Sequence, residues 1–175
     1  MKFSVLVANF NNGKFFRDCY QSILSQTYTD WEVIILDDKS TDDSLQIIRE
    51  ITGGDDRFRI FEHPHNEGVG VIKAKLIELA TGDICGFVDP DDAILPKAIE
   101  NAVAVFRNNP KTVLTYSMLM KCDKDLQPVL PSSIISSTSP TRVAIIGFCK
   151  ISASEITRGH ASDSEGKMKK SAFLM

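Results

Sequence analysis

The sequence has few cysteines, and none of them is spaced for zinc binding or redox chemistry. The chain of 175 residues contains 4 cysteines. They are Cys19, Cys85, Cys122 and Cys149. The C-x-x-C spacing of zinc sites and thioredoxin-like motifs is therefore absent. Such wide spacing is typical of reduced, buried thiols, so we expect a cytoplasmic protein.

Long hydrophobic runs are also missing. No apolar run approaches the roughly 18 residues that a membrane-spanning helix needs. Residues 1–10 become polar too early for a secretory signal peptide. We therefore expect no transmembrane segment in this chain. Attachment to the inner face of a membrane, through a region outside this chain, is left open.

The chain has no excess of positive charge. It contains 20 Lys and Arg against 23 Asp and Glu, for a net charge of -3. Domains that bind nucleic acid usually show a basic face, so we expect no nucleic-acid partner. Hydrophobic residues make up 43% and charged residues 25% of the chain, which is an ordinary balance for a globular domain.

Strand-like and helix-like segments alternate along the first part of the chain. Short apolar runs predict strands at residues 3–8, 33–36, 58–62, 84–88 and 112–120. Apolar residues three or four positions apart predict a helix in each intervening segment. The second helix is expected to begin at Ser40, because Asp43 stands three residues later as in a capping box. Its inner face would be Leu45, Ile48 and Ile51. The alternation predicts an α/β fold, a mostly parallel sheet with helices on both faces.

The pattern weakens after residue 121. A Ser/Thr-rich run at residues 132–141 has the composition of a loop, and residues 143–149 fit either a strand or the start of a helix. We therefore divide the chain into a core at residues 1–121 and a loop-rich remainder at residues 122–175.

Acidic residues follow the second and the fourth predicted strands, at residues 37–38 and 89–92. In an open α/β sheet, ligands bind at the carboxyl ends of the strands. Five carboxylates at this edge would repel one another, and a bound Mn²⁺ or Mg²⁺ ion would relieve the repulsion. Taken singly, either cluster is more simply explained as a turn or a helix cap. The two together favour a site for a metal ion and phosphate.

Several further motifs follow one another in a fixed order between residues 3 and 120. They are Ala-Asn-Phe-Asn at 8–11, Gln-Thr-Tyr at 26–28, Asp-Asp-Lys-Ser-Thr-Asp at 37–42, Asn-Glu-Gly at 66–68, Ala-Thr-Gly at 80–82 and Asp-Pro-Asp-Asp at 89–92. In this order and spacing they resemble the family-2 glycosyltransferases of the Rossmann-like GT-A fold. The resemblance implies that residues 1–121 are a nucleotide-sugar-binding core.

The resemblance implies roles for individual residues. Ala8 and Phe10 would line the base and ribose of the nucleotide. Asp38 would accept a hydrogen bond from the base, commonly a uracil. Lys73 would lie near the base or the diphosphate, and Asp89 near the ribose and the metal ion.

The main metal ligand implied by the resemblance is Asp91, assisted by Asp89, with Mn²⁺ or Mg²⁺ as the cofactor. The cation would act as a Lewis acid on the leaving nucleoside diphosphate. Family members mostly invert the anomeric centre, and a carboxylate base takes the proton of the acceptor hydroxyl. The implied partners are a UDP-sugar donor and a carbohydrate or lipid-linked acceptor, as in the synthesis of cell-envelope polysaccharide.

The chain departs from the family pattern at several of these positions. Ala8 replaces the usual Pro, Asn9 the usual Thr and Phe10 the usual Tyr, while Lys73-Ala74 replaces a frequent Arg-Asn. Lysine keeps the charge of arginine but lacks its planar fork of donors. These changes bear on which nucleotide is bound.

The catalytic base is the largest departure. In the family it follows a segment like Lys-Lys-Ser-Ala, which stands here at residues 169–172. We therefore expect the base beyond Met175 and an incomplete acceptor-binding part. A chain that ends here is expected to bind nucleotide but to transfer sugar poorly or not at all.

Two other functions compete with this hypothesis. A signalling receiver domain is also a five-stranded α/β fold with acidic residues, and Lys121 could serve as its lysine. In receivers, however, the acidic residues follow the first and third strands. The second alternative is a module that binds a nucleotide sugar without catalysis. His63 and His65 are expected to be exposed loop residues rather than metal ligands.

Overall fold

The computed structural model describes residues 1–116 and a strand at residues 147–150, with side chains described for residues 1–115. The elements in chain order are β1 (Phe3–Asn9), α1 (Phe16–Leu24), β2 (Trp31–Asp37), α2 (Ser44–Thr52), β3 (Phe58–Glu62), α3 (Val69–Leu79), β4 (Ile84–Phe87), α4 (Ala98–Asn108), β5 (Leu114–Tyr116) and β6 (Gly147–Lys150). A 3-10 turn at Gly13–Phe15 leads into α1. Within these residues, no helix has the length and apolar character required to cross a bilayer.

The strands form one sheet in the order β3-β2-β1-β4-β6-β5. The first four strands run parallel, and β6 is antiparallel to both of its neighbours. Parallel pairing follows from the crossover helices, which return the chain to the same end of the sheet. The predicted class, a mostly parallel sheet within an α/β fold, is confirmed.

Helices cover both faces of the sheet. Alternate residues of each strand point to opposite faces, so each central strand contributes to two cores. On β1, Val5 and Val7 belong to a core with buried residues of α1, α2 and α4, such as Phe16. Leu6, between them in sequence, belongs to a second core with Ile72 and Leu76 of α3. The sheet is therefore buried on both sides at its centre, as its nearly continuous apolar strands require.

The prediction for the last part of the sheet was incomplete. The fifth strand is described at Leu114–Tyr116 rather than residues 112–120, and residues 117–120 lie outside the described part of the chain. The antiparallel strand β6 is inserted between β4 and β5. It falls within residues 122–175, and it shows that residues 147–149 of the segment left open between strand and helix are a strand, while residues 143–146 lie outside the described part of the chain. The division of the chain at residue 121 stays a prediction.

The expected start of the second helix was wrong. Helix α2 begins at Ser44, and its N-cap residue makes no side-chain capping bond. Ser40 instead donates its hydroxyl to the Asp37 carboxylate over 2.6 Å. The buried face of α2 consists of Ser44, Ile48 and Thr52, while Leu45 and Ile51 are only half-buried. Ser44 is turned inward because its hydroxyl accepts the amide N–H of Gly13 over 2.9 Å.

Candidate functional site

A cleft of about 390 Å³ opens at the carboxyl ends of β1 and β4. The order of strands reverses at this point, because β2 and β3 lie on one side of β1 and β4 on the other. Such a switch point is where open α/β sheets bind their ligands. We call it the β1–β4 cleft. It is lined by Ala8, Asn9, Phe10, Asn12, Asp38, Asn66, Gly68, Val69, Ile72, Asp89, Pro90 and Asp91.

Most of the site residues expected from the sequence come together in this cleft. Ala8, Phe10, Asp38, Asp89 and Asp91 all line it. Lys73 is not among the lining residues, but its Nζ lies 3.4 Å from Asp89 Oδ1 and 5.3 Å from the centre of the Phe87 ring. A second hollow, beside Arg49 and Asp55 near the start of β3, contains none of the expected residues.

Hydrogen bonds join the carboxyl ends of β1 and β2 beneath the cleft. The Asn9 side-chain amide donates to Asp37 Oδ1 over 2.6 Å, and the Ser40 amide donates to Asp37 Oδ2 over 2.8 Å. Beyond β1, the amide of Asn11 donates to the Ser40 hydroxyl, and Asn11 Oδ1 accepts the amide of Thr41, each over 2.9 Å. These bonds fix the backbone that carries Phe10.

Asp38 is buried and holds the loop that precedes α3. Its two carboxylate oxygens accept the backbone N–H groups of Glu67 and Gly68 over 2.9 and 2.8 Å. Gly68 has a φ of 87°, a conformation that only glycine adopts readily. A carboxylate oxygen has more than one lone pair, so each oxygen can accept a further bond from a ligand. The role of Asp38 toward the base stays a prediction.

Two of the five carboxylates expected to repel one another are buried and hydrogen-bonded. Asp37 and Asp38 are 1% and 4% exposed, and each accepts hydrogen bonds from N–H or O–H donors of the protein. Uncharged donors do not neutralise a carboxylate, so the cleft combines Asp38 with the acidic residues at 89–92. Their charge reaches Cys19 of α1, where burial, together with the charges of Asp92, Asp89 and Asp91, raises the pKa of the thiol.

The carboxylates in the cleft suit a divalent cation that the ligand helps to bind. Within the described residues, no three His, Cys, Asp or Glu side chains form a ready-made metal site. Asp89 and Asp91 nevertheless both line the cleft. Mg²⁺ and similar ions are usually held by one or two carboxylates, with phosphate oxygens and waters completing the shell. The donor set fits such an ion.

Sequence reasoning missed several parts of the cleft. Asn66 lies in a motif that was recognised, but no role was assigned to this residue. Val69 is 62% exposed and Phe10 is 44% exposed, so the cleft has two apolar surfaces at its mouth. Val69 directly follows Gly68 and stands in the first turn of α3. An apolar residue at such a position is the sequence signal that could have indicated this apolar surface.

Residues 4–156 match the sequence profile described as Glycosyl transferase family 2. The uncharacterized glycosyltransferase YibD of Escherichia coli K12 is 36% identical over 104 residues, which are 59% of this chain and 30% of YibD. Residues 1–349 of TarS from S. aureus, solved in complex with UDP-GlcNAc, superpose with a TM-score of 0.60 at 28% identity, over 70% of this chain and 35% of that one.

A mannosyltransferase from Pyrobaculum calidifontis, PcManGT, solved in complex with GDP-Man and Mn²⁺, shares the fold with a TM-score of 0.59 at 21% identity. That similarity covers 64% of this chain and 34% of the mannosyltransferase. The chain thus spans roughly a third of the length of these relatives. The expected Rossmann-like GT-A fold is confirmed by its structural neighbours, and the matching profile covers most of the sequence. The chain therefore belongs to glycosyl transferase family 2.

Proposed function

We propose that the β1–β4 cleft binds a nucleoside-diphosphate sugar. The whole protein would transfer that sugar to a hydroxyl group of a carbohydrate or lipid-linked acceptor. The observation that carries the proposal is that five residues expected to bind nucleotide or metal line one cleft at the switch point of the sheet. TarS, which was solved with UDP-GlcNAc, supports a UDP-sugar as the donor.

Four residues are proposed to bind the nucleotide. Phe10 offers an exposed ring face to the base, beside the small side chain of Ala8. Asp38 would accept the N–H of the base through its remaining lone pairs. Lys73, which lies 3.4 Å from Asp89, can turn its ammonium group toward a diphosphate.

We assign Asp91 as the main ligand of Mn²⁺ or Mg²⁺, with Asp89 beside it. Such an ion, when bound, supplies charge neutralisation for the departing nucleoside diphosphate. Inversion by direct displacement requires a base on the acceptor side, and we place that base on a carboxylate outside the described residues.

The two alternative functions are separated by different observations. Receiver domains have the strand order 2-1-3-4-5, whereas this sheet has the order 3-2-1-4-6-5 with an antiparallel strand. This topology disfavours a receiver. A module that binds nucleotide sugar without catalysis would have the same cleft, and only a transfer assay on the whole protein separates it from an enzyme.

Calorimetric titration with UDP and GDP, with and without Mn²⁺, tests the proposal. We expect tighter binding with Mn²⁺, and a loss of about tenfold or more in that affinity for Asp91→Asn, because a metal ligand is removed. Asp56→Asn is the matched control, since this exposed carboxylate lies outside the cleft. Unchanged Mn²⁺-dependent binding by Asp91→Asn would count against the proposed site.

A further inference from the structure

The loop at residues 63–68 forms one wall of the β1–β4 cleft but is anchored from outside it. Two of its residues, Asn66 and Gly68, line the cleft, and Val69 follows directly. On the cleft side, the loop is held by the hydrogen bonds from Glu67 and Gly68 to Asp38. Since the loop is mostly exposed, additional contacts are needed to keep this wall in one position.

Lys75 of α3 provides such contacts. Its Nζ donates to Glu67 Oε2 over 2.6 Å and also contacts His63 Nε2. His63 is the first residue of the loop and Glu67 is near its end, so one ammonium group joins both ends. The hydrogen bond from Lys75 also lowers the pKa of the Glu67 carboxyl.

His63 is arranged to receive this contact. Its Nδ1 lies 2.6 Å from the carbonyl oxygen of His65, an acceptor, so Nδ1 carries the proton. In this tautomer Nε2 is an acceptor for Lys75, and Glu67 Oε2 lies 3.3 Å from it. The side chain of His63 is only 11% exposed, in contrast to the exposed loop residue expected from the sequence. His65, as expected, is exposed.

We propose that Lys75 is a positioning residue for the nucleotide, because it clamps both ends of the 63–68 loop and thereby fixes the wall formed by Asn66, Gly68 and Val69. The inference rests on the proposed function of the β1–β4 cleft. Lys75 itself does not line the cleft, so it acts through the loop and not by touching the ligand.

The test is Lys75→Met, which keeps the length of the side chain and removes the ammonium group. We expect UDP to bind roughly threefold to tenfold more weakly in the presence of Mn²⁺, because two contacts of modest strength are lost. In the protein without nucleotide, the amide hydrogens of Glu67 and Gly68 should exchange faster with solvent. Lys75→Arg, which retains the charge and the donors, should restore both properties in large part.

Lys39→Met is the matched control, because Lys39 forms an exposed ion pair of the same 2.6 Å length with Glu62, just before the loop. It should leave UDP affinity and amide exchange unchanged. Wild-type affinity in Lys75→Met, even with faster amide exchange, would overturn the proposal. An equal loss of UDP affinity in Lys39→Met, or no recovery of affinity in Lys75→Arg, would also overturn it. If the wild-type protein binds no nucleotide, the proposed function fails, while amide exchange still decides whether the clamp exists.

Discussion

Glu32 is a buried carboxylate at the end of the sheet opposite the cleft. Its Oε1 accepts the Ser4 hydroxyl over 2.7 Å, and the Thr81 amide and hydroxyl over 2.7 and 2.8 Å. Its Oε2 lies 3.1 Å from Lys2 Nζ and 3.4 Å from an Arg59 nitrogen. Burial alone would raise the pKa of Glu32, but the hydrogen bonds from Ser4, Thr81 and Lys2 lower it to about 2.

We expect Glu32→Gln to destabilise the protein at neutral pH by roughly 2–4 kcal/mol, because Ser4, Thr81 and Lys2 lose a buried charged acceptor. The native pKa lies below that of the unfolded chain. The stabilisation by Glu32 is therefore complete above about pH 4.5 and is lost as the pH falls toward 2. Urea unfolding at pH 7, 4 and 3 should show that the difference in free energy of unfolding between the variant and the wild type shrinks as the pH falls.

Glu62→Gln is the control for this prediction, because its exposed partner Lys39 also lowers the pKa of Glu62. An exposed ion pair contributes little to stability. If the two variants were equally stable, the buried network at Glu32 would not have the importance assigned to it.

At the scale of elements, the 3-10 turn before α1 and the first turn of α2 are in unusually close contact. A Cβ atom on Gly13 would lie 2.5 Å from the Ser44 Cα, well inside contact distance. The neighbouring atom belongs to the backbone, so no side-chain rotation can relieve the overlap. Glycine is therefore required at Gly13 by packing and not by a left-handed backbone.

We expect Gly13→Ala to lower the free energy of unfolding by about 1–3 kcal/mol, the usual cost of overpacking. Gly70→Ala is the matched control, because nothing lies within 4 Å of a Cβ at this helical position. There alanine should stabilise the helix by about 0.5–1 kcal/mol. Thermal or urea unfolding of the two variants checks the opposite signs, and a neutral Gly13→Ala would disprove the close contact.

The sequence predicts elements well where the apolar pattern is local. A helix was expected in the segment between the fourth and fifth strands, and the apolar residues Ile99, Ala102, Val103 and Phe106 of that helix, α4, are all buried. The position of β6 could not be predicted, because its pairing with β4 joins residues far apart in the sequence. A local pattern contains no information about such a partner.

The same limit applies to the cleft. The motifs indicated Asp38 and residues 89–92, and Asp38, Asp89 and Asp91 do meet in the cleft at one edge of the sheet. The clamp by Lys75 could not be foreseen, since its partners are recognisable only when the loop folds back on α3.

At the scale of the whole molecule, the two ends of β1 have different tasks. Ser4 contributes to the buried network around Glu32, and Asn9 lines the β1–β4 cleft. Five steps along a strand separate them by roughly 17 Å. Changes at sites this far apart usually have additive effects on stability.

We therefore expect that Glu32→Gln lowers stability without changing nucleotide affinity. UDP with Mn²⁺ at about 100 times the Kd should stabilise the wild type and Glu32→Gln equally, by about 2.7 kcal/mol. Urea unfolding of both proteins, each with and without ligand, gives the four free energies of unfolding that are compared. A coupling greater than about 0.5 kcal/mol would show that the two ends of the sheet communicate.

The contact between Lys73 and Asp89 means that the protein carries its own counter-ion. Any cation that needs Asp89 must first compete with this ammonium group, which reduces the gain from binding a metal ion alone. A diphosphate would offer Lys73 negatively charged oxygens as an alternative partner to Asp89. With the roles proposed for these residues, Lys73 would make binding of the metal ion and the nucleotide mutually dependent, and it would discourage occupation of the site by either one alone.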